Sequence, residues 1–382
     1  MFKSNERINS LMLVVLRVKE SPPFSWGIFI LPTSSLPSGM AFRFIFLFLT
    51  FFITGKLFAQ TLGGSSTYNF LKLQQVPRAA SLGGRNVSDF TGGIGMLTEN
   101  PALLQKEHHL QTAAHFGFLA PGITGLYGLV GFHEQRTNTD LALGISHLTY
   151  GMEEQTDAGG NITGVFRAYD QMVGLTITKK YGDRWRFGIT LKGINSRYGL
   201  FSSIGLAADA GIGYQDTTRN FQIGFSAKNM GSQLRTYNGQ GEDLPFDMVL
   251  GITKKLDKSP LRFSLTAQRM NQFDILYNDT SFNAANYGRA GLAGWGDKLI
   301  SHLILGTDIL LGERITLSAG YNFLRRKELS FSNIASGLTG FSYGMRLQFI
   351  KFNFQYARSH FQSGLSHHLI SLQLRMAKNT SD

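Results

Sequence analysis

The side chains best able to do chemistry in this sequence are histidines, and four of them form two adjacent pairs, His108-His109 and His367-His368. Neighbouring residues on a strand point to opposite faces, so neither pair can chelate one ion from one face, and a rim or turn position is expected for both. His147 and His302, with the many serines and asparagines, offer the ingredients of a Ser–His–Asn ester hydrolase, but spacing singles out none of them. The motifs S-x-x-K, H-E-x-x-H, G-x-S-x-G and G-x-x-x-x-G-K-[ST] do not occur. Gly92-Gly93-Ile94-Gly95 is glycine-rich but does not follow a strand of a βαβ unit. Cysteine is absent, which excludes a disulfide scaffold, a thiolate metal site and a cysteine nucleophile. The reading is therefore of a non-enzyme with no catalytic residue, no cofactor and no metal site.

The elements that must position these residues are strands. Trp185, Phe187, Ile189 and Leu191 alternate with Arg186, Gly188, Thr190 and Lys192; the same pattern runs through residues 221–228, 261–268, 315–323 and 341–349. Each such segment has one apolar face and one small or polar face. Weaker alternation covers 109–118, 123–132, 140–150, 169–180, 202–214, 246–254, 299–310, 352–357 and 367–375, which makes about fourteen strands. The polar faces carry Gly, Ser, Thr, Asn and Gln rather than the charges that meet water on a soluble sandwich. The apolar faces carry Phe and Tyr near strand ends, as a membrane girdle requires. The expected fold is all-β, a transmembrane antiparallel β-barrel of about 14 strands, closed because an open edge in lipid would leave backbone groups unpaired.

Composition agrees. Hydrophobic residues are 43% of 382, an average that fits a barrel apolar only on its outside. The net charge of +12 is scattered rather than clustered, which favours lipid headgroups and a lined lumen over nucleic acid. The densest basic run, Leu324-Arg325-Arg326-Lys327, reads as a turn or rim. Tyr181–Arg184 and Leu256–Pro260 read as short turns, and 153–165, 231–245 and 271–297 as long polar loops. Met40-Ala41-Phe42-Arg43 followed by an apolar run to Ile53 and by Leu57-Phe58-Ala59 reads as a secretory signal cut after Ala59. The organisation expected is an upstream over-extension or long n-region at 1–39, a signal at 40–59, an N-terminal lumen segment at 60–106, the barrel at 107–376 and a tail at 377–382.

The most specific block lies outside the strands. Phe70-Leu71-Lys72-Leu73, then Arg78-Ala79-Ala80-Ser81-Leu82-Gly83-Gly84, then Asn100-Pro101-Ala102-Leu103-Leu104 follow the opening Gly63-Gly64-Ser65-Ser66-Thr67-Tyr68-Asn69. This pattern resembles the start of the PorV/PorQ group of FadL-like outer-membrane barrels of the type IX secretion system. It departs from that pattern in the spacer Gln74-Gln75-Val76-Pro77, where relatives have proline earlier. The resemblance implies a barrel with its N-terminal segment tucked into the lumen. It also implies a non-enzymatic anchor that holds a PorZ-like surface protein and joins it to the PorU/PorV attachment complex. Its other partner would be outer-membrane lipid. The alternative is a FadL-like transporter of hydrophobic small molecules, for which glycine-rich Gly117–Gly131 could kink a strand. On physical grounds Gly83-Gly84 and Gly92-Gly93 allow tight turns beside a barrel wall. Asn100 and Pro101 fit the N-cap and first position of a helical turn. Arg78 has two equal readings, an ion pair with a lumen carboxylate such as Asp209 or solvation by lumen water.

Overall fold

Period-two alternation becomes fourteen antiparallel strands that close on themselves. The computed structural model describes residues 15–16, 27–28, 66–276, 294–329, 337–362 and 364–375. Residues 1–59 form a separate unit in which Val15–Leu16 and Gly27–Ile28 pair antiparallel; the expected signal lies outside the described residues.

The barrel strands are β1 (Gln111–Ala120), β2 (Ile123–Glu134), β3 (Thr139–Thr156), β4 (Ile162–Tyr181), β5 (Trp185–Tyr198), β6 (Phe201–Asp216) and β7 (Phe221–Arg235). They continue as β8 (Asp247–Lys255), β9 (Leu261–Ala267), β10 (Leu303–Leu311), β11 (Ile315–Asn322), β12 (Phe341–Gln348), β13 (Phe352–Gln362) and β14 (Leu365–Arg375). Each strand pairs with its sequence neighbours, and β14 closes the ring on β1 from Arg375↔Gln111 to His368↔Phe118. All fourteen expected segments find a strand, and the fold is the transmembrane barrel the alternation requires. Among the described residues no helix is long and apolar enough to cross a membrane.

The faces separate as the sequence pattern demands. Val173, Leu175, Ile177, Ile189 and Leu191 point outward and are 45–58% exposed, while Thr176, Thr178, Thr190 and Lys192 between them are buried inside. So much exposed apolar area would be an aggregation hazard in water; in lipid it is the matched surface. Leu191→Arg, near the middle of β5, is expected to cost about 2–4 kcal/mol of folding into lipid vesicles. A urea titration of vesicle-folded protein measures it, and an unchanged midpoint would place this face away from the bilayer.

The two ends of the barrel differ. At one end the connections run no longer than 256–260, and the chain enters and leaves the barrel there; this is the turn end. At the other, the loop end, lie the connections 236–246, 268–302 and 323–340. Four expectations need correction. The loop expected at 231–245 begins only at 236, because β7 runs to Arg235. Residues 153–165 are not simply a loop, because β3 and β4 run far into that stretch as a projecting hairpin whose residues are exposed on both faces. The strand expected from residue 299 begins at Leu303, because Trp295–Ser301 is a helix; Leu299 and Ile300 are apolar in either conformation. Leu324–Lys327 lies in a helix, Phe323–Glu328, capped by the Asn322 side chain, and Leu324 and Arg325 are buried. Of the loop expected at 271–297, residues 277–293 lie outside the described residues.

Candidate functional site

Residues 66–110 run through the lumen from the loop end to the turn end. Thr67 donates its N–H to the Asp243 carbonyl in a loop-end connection, and Leu110 donates to the Gly131 carbonyl at the start of β1. Between them the chain is built of short turns: a 3-10 turn at Asn69–Lys72, a helix at Pro77–Ser81 and 3-10 turns at Ile94–Thr98, Pro101–Leu103 and Lys106–His108. None is long enough to be stable alone, so the wall must supply what holds them.

The first holding element is ionic. Arg78, only 3% exposed, donates through Nε to Asp89 at 2.6 Å and through both Nη atoms to the two oxygens of Asp308 on β10, each at 2.7 Å. Its Nη1 also reaches Ser318 Oγ at 2.8 Å, and that hydroxyl donates to Asp308. Arg262 on β9 donates to the other side of Asp308 at 2.7 Å, while Thr91 donates to Asp89 at 2.6 Å. Plug and wall thus share a buried lattice of two guanidinium groups and two carboxylates, and Arg346 ties its Nη1 to the Thr91 carbonyl. The buried charges of Arg78, Arg262, Asp89 and Asp308 are tolerated because each finds an opposite charge among the other three. Arg78 is therefore paired, not solvated, and its partners are Asp89 and Asp308 rather than Asp209. Asp209 instead takes the Lys192 ammonium at 2.6 Å and accepts the Asn229 N–H at a bulge in β7.

The second element is steric. Gly213, Gly224 and Gly251 sit side by side on β6, β7 and β8, and the plug segment Val87–Phe90 lies against them. Gly188 and Gly211 pair across β5 and β6 to seat Asn100 and Pro101. Gly306 and Gly320 pair across β10 and β11 to seat Leu82 and Gly83. A Cβ at most of these seats would fall on plug atoms. Gly83 and Gly84 have φ of 96° and 110°, a backbone that side chains resist, and the Gly83 carbonyl accepts from Asn322 and from Arg325.

The third is capping. Asn100 Oδ1 accepts the Ala102 N–H at 2.9 Å, while its Nδ2 donates to the carbonyls of Val87 at 2.8 Å and Ile212 at 3.1 Å. One side chain caps a turn and joins it both to the plug and to the wall. Asn100→Ala is expected to lower stability by about 1–2 kcal/mol, read as a drop in the thermal midpoint of the folded barrel. At the turn end, His108 Nδ1 accepts the Gln105 N–H. Burial, with Arg186 and Arg375 nearby, pushes this imidazole down to about 3, so it remains neutral and able to accept.

The residues quoted from the N-terminal block converge in this plug. Arg78, Ala79, Leu82, Gly83 and Gly84 form the helix and its exit against β10–β13, Asn100, Pro101 and Ala102 form the turn on β5–β6, and Phe70 and Leu71 are buried beneath the loop end. Leu73 is half-buried against the same apolar cluster. Sequence reasoning missed Asp89, Asp308, Arg262 and Arg346. It also missed a loop-end cluster in which Tyr150 and Tyr198 donate to Asp170, and Tyr237 packs edge-on to Tyr198 at 5.8 Å. Alternation does put Asp308 on an inward face, but the same signal marks Asp209 equally.

The histidines are dispersed over the barrel. His302 turns Nδ1 and Nε2 toward the carbonyls of Gln268 and Phe273, and His147 meets Gln171 on the outer face. His367 points inward and His368 outward, as adjacent strand residues must. Among the described residues, cavities of about 30 and 40 Å³ lie beside the plug, each with room for only a few water molecules. Leu73, Gln75 and Tyr127 line both.

No family model matches the chain, and no curated protein does. Among solved structures it is similar to the Pseudomonas putida toluene transporter TodX at 12% identity, covering 79% of this chain and 97% of that one, with a TM-score of 0.47. It is similar to the CymD monoaromatic hydrocarbon channel at 12% identity, with the same coverage and a TM-score of 0.44. A Pseudomonas aeruginosa FadL homologue matches at 10% identity over 79% and 98% of the two chains, with a TM-score of 0.39.

Proposed function

We propose that this chain is a sealed outer-membrane barrel of a Gram-negative bacterium, exported by its signal peptide, that serves as a non-enzymatic anchor. Its specific role would be that of a PorQ-like member of the type IX secretion system, holding a PorZ-like surface protein beside the PorU/PorV attachment complex. One observation supports the sealed state: a plug is fixed in the lumen by Arg78, Asp89 and Asp308, and the cavities beside it among the described residues measure only tens of Å³. A barrel closed in this way works through what it presents, and its larger loops and tyrosine cluster all gather at one end. Short turns at the inner face and long loops at the outer face are the usual arrangement of such barrels, so the loop end would face outward. The secretion role itself rests on the N-terminal block.

A second reading, a FadL-like transporter of a hydrophobic small molecule, is favoured by the β7 bulge at Lys228–Asn229. It interrupts the β6–β7 ladder where Asp209, Lys192 and Lys228 line an inner cavity. A wall with such a break beside a plug has a place to open sideways. The glycine-rich stretch Gly117–Gly131, which could supply a kink, has a register shift of its own in the β1–β2 ladder, between Phe118 and Ala120. Affinity purification of the tagged protein from detergent-solubilised outer membrane separates the readings. Co-purified secretion-system proteins are expected; recovery of a bound fatty acid or hydrocarbon without them would overturn the anchor and establish the transporter.

A further inference from the structure

On the outer wall, away from the plug, a cavity of about 290 Å³ opens at the loop end of β13 and β14. Its lining includes Arg358 and His360 from β13, Ser366 and His368 from β14, and Leu338 and Thr339 from the connection leading into β12. Register fixes the direction these strand residues face. Arg358 pairs with outward Tyr343 and His368 with outward Phe118, and each is flanked in its own strand by buried inward residues such as Ser359 and His367. Toward the turn end the same outer face continues as Tyr356 and Phe354 on β13 and as Ile370, Leu372 and Leu374 on β14. The cavity therefore lies where an apolar lipid-facing band ends.

Its polar groups are arranged as donors. Tyr356 Oη lies 2.9 Å from His368 Nδ1, and Ser366 Oγ lies 3.1 Å from His360 Nδ1. A hydroxyl donating to Nδ1 leaves the proton of a neutral imidazole on Nε2, where it can donate in turn. His360 Nε2 and Arg358 Nε are both buried without a hydrogen-bond partner among the described residues. Among the described residues, the one side-chain hydrogen bond of Arg358 is a weak contact from Nη2 to Ser366 Oγ at 3.4 Å. No carboxylate lines the cavity among the described residues. A permanent cation with an unpaired donor, at the lipid boundary and without a counter-charge, is costly unless an anion comes to it.

From this geometry we infer that the cavity binds the phosphate of a membrane amphiphile, with Arg358 as charge partner and His360 and His368 as flanking donors. The acyl chains would lie along Tyr356, Ile370 and Leu372, which a free ion would not use. Phosphoglycerolipid and lipid A share this headgroup chemistry. The inference needs only the transmembrane barrel, so it stands or falls separately from the anchor.

The test uses the full barrel in nanodiscs of phosphatidylcholine, alone or with phosphatidylglycerol or lipid A, and counts retained lipid by native mass spectrometry after detergent release. One phosphorylated amphiphile is expected to stay bound, and Arg358→Gln is expected to weaken its retention about ten-fold. His368→Gln, which keeps the charge, should weaken it less. The heat-modifiable gel mobility of a folded barrel verifies each variant, and His360→Gln replaces Arg358→Gln if that variant does not fold. Preference for lipid A or for phosphatidylglycerol identifies the source, and either supports the site. Equal retention by wild type and variants would overturn it. So would equal thermal protection by inorganic phosphate alone, which would leave an ion site with no use for acyl chains.

Discussion

Arg78→Met is expected to release the plug while leaving the barrel standing. The substitution removes the only plug cation that holds Asp89 and Asp308 together, and leaves the two buried carboxylates to share Arg262. Breaking a buried ionic cluster by deleting one partner typically costs about 3–5 kcal/mol, because the remaining charges stay desolvated. The plug's turns are too short to persist without the wall, so the loss falls on the plug, whereas the strands retain their ladders. Three measurements follow from this: unchanged far-ultraviolet circular dichroism, protease cleavage within residues 66–110, and ion conductance in planar bilayers, where the sealed parent is expected to stay closed. Arg78→Lys should behave nearly as badly, because an ammonium cannot grip both Asp308 oxygens and Asp89 at fixed angles. A variant that stayed protease-resistant and closed would mean that the seal lies elsewhere.

The wall was legible in the sequence and the lock was not, for one physical reason. A strand's inside and outside are written in its own alternation, so Ile189 and Leu191 declare the lipid face without reference to any other segment. Where both faces meet water the alternation fades, which is why the projecting hairpin of β3 and β4 read as loop. The partner of Arg78 is a different kind of fact. Asp308 lies 230 positions away, and its choice over Asp209 depends on where Gly83 meets Gly320 and Val87 meets Gly224, which no local pattern encodes. The N-terminal block pointed to a plug only through resemblance to other chains. Arg325 shows the opposite error: a basic run looked like a rim, yet Arg325 turns inward over the Phe361 ring at 4.4 Å and donates to the Gly83 carbonyl.

Glycine on the inner strand faces first reads as an economical way to leave space for water. Its placement argues for something more specific. Gly213, Gly224 and Gly251 form a flat seat because adjacent strands place their glycines in register, and the plug backbone fills that seat. Gly224→Leu is therefore expected to expel Val87–Phe90, since even its Cβ would meet the Val87 carbonyl carbon at 2.5 Å and its oxygen closer still. Backbone on both sides of the clash leaves no flexible side chain to yield, so the cost should reach or exceed the upper end of the roughly 1–3 kcal/mol seen for overpacked cores. Gly128→Leu and Gly193→Leu supply the comparison, because nothing lies within 4 Å of a Cβ at either position. They should fold like the parent, whereas Gly224→Leu should gain protease cleavage near residue 87 and conduct ions, as Arg78→Met does. Should all three leucine variants behave alike, the glycines serve the strands rather than the plug, and the seal would rest on the ion lattice alone.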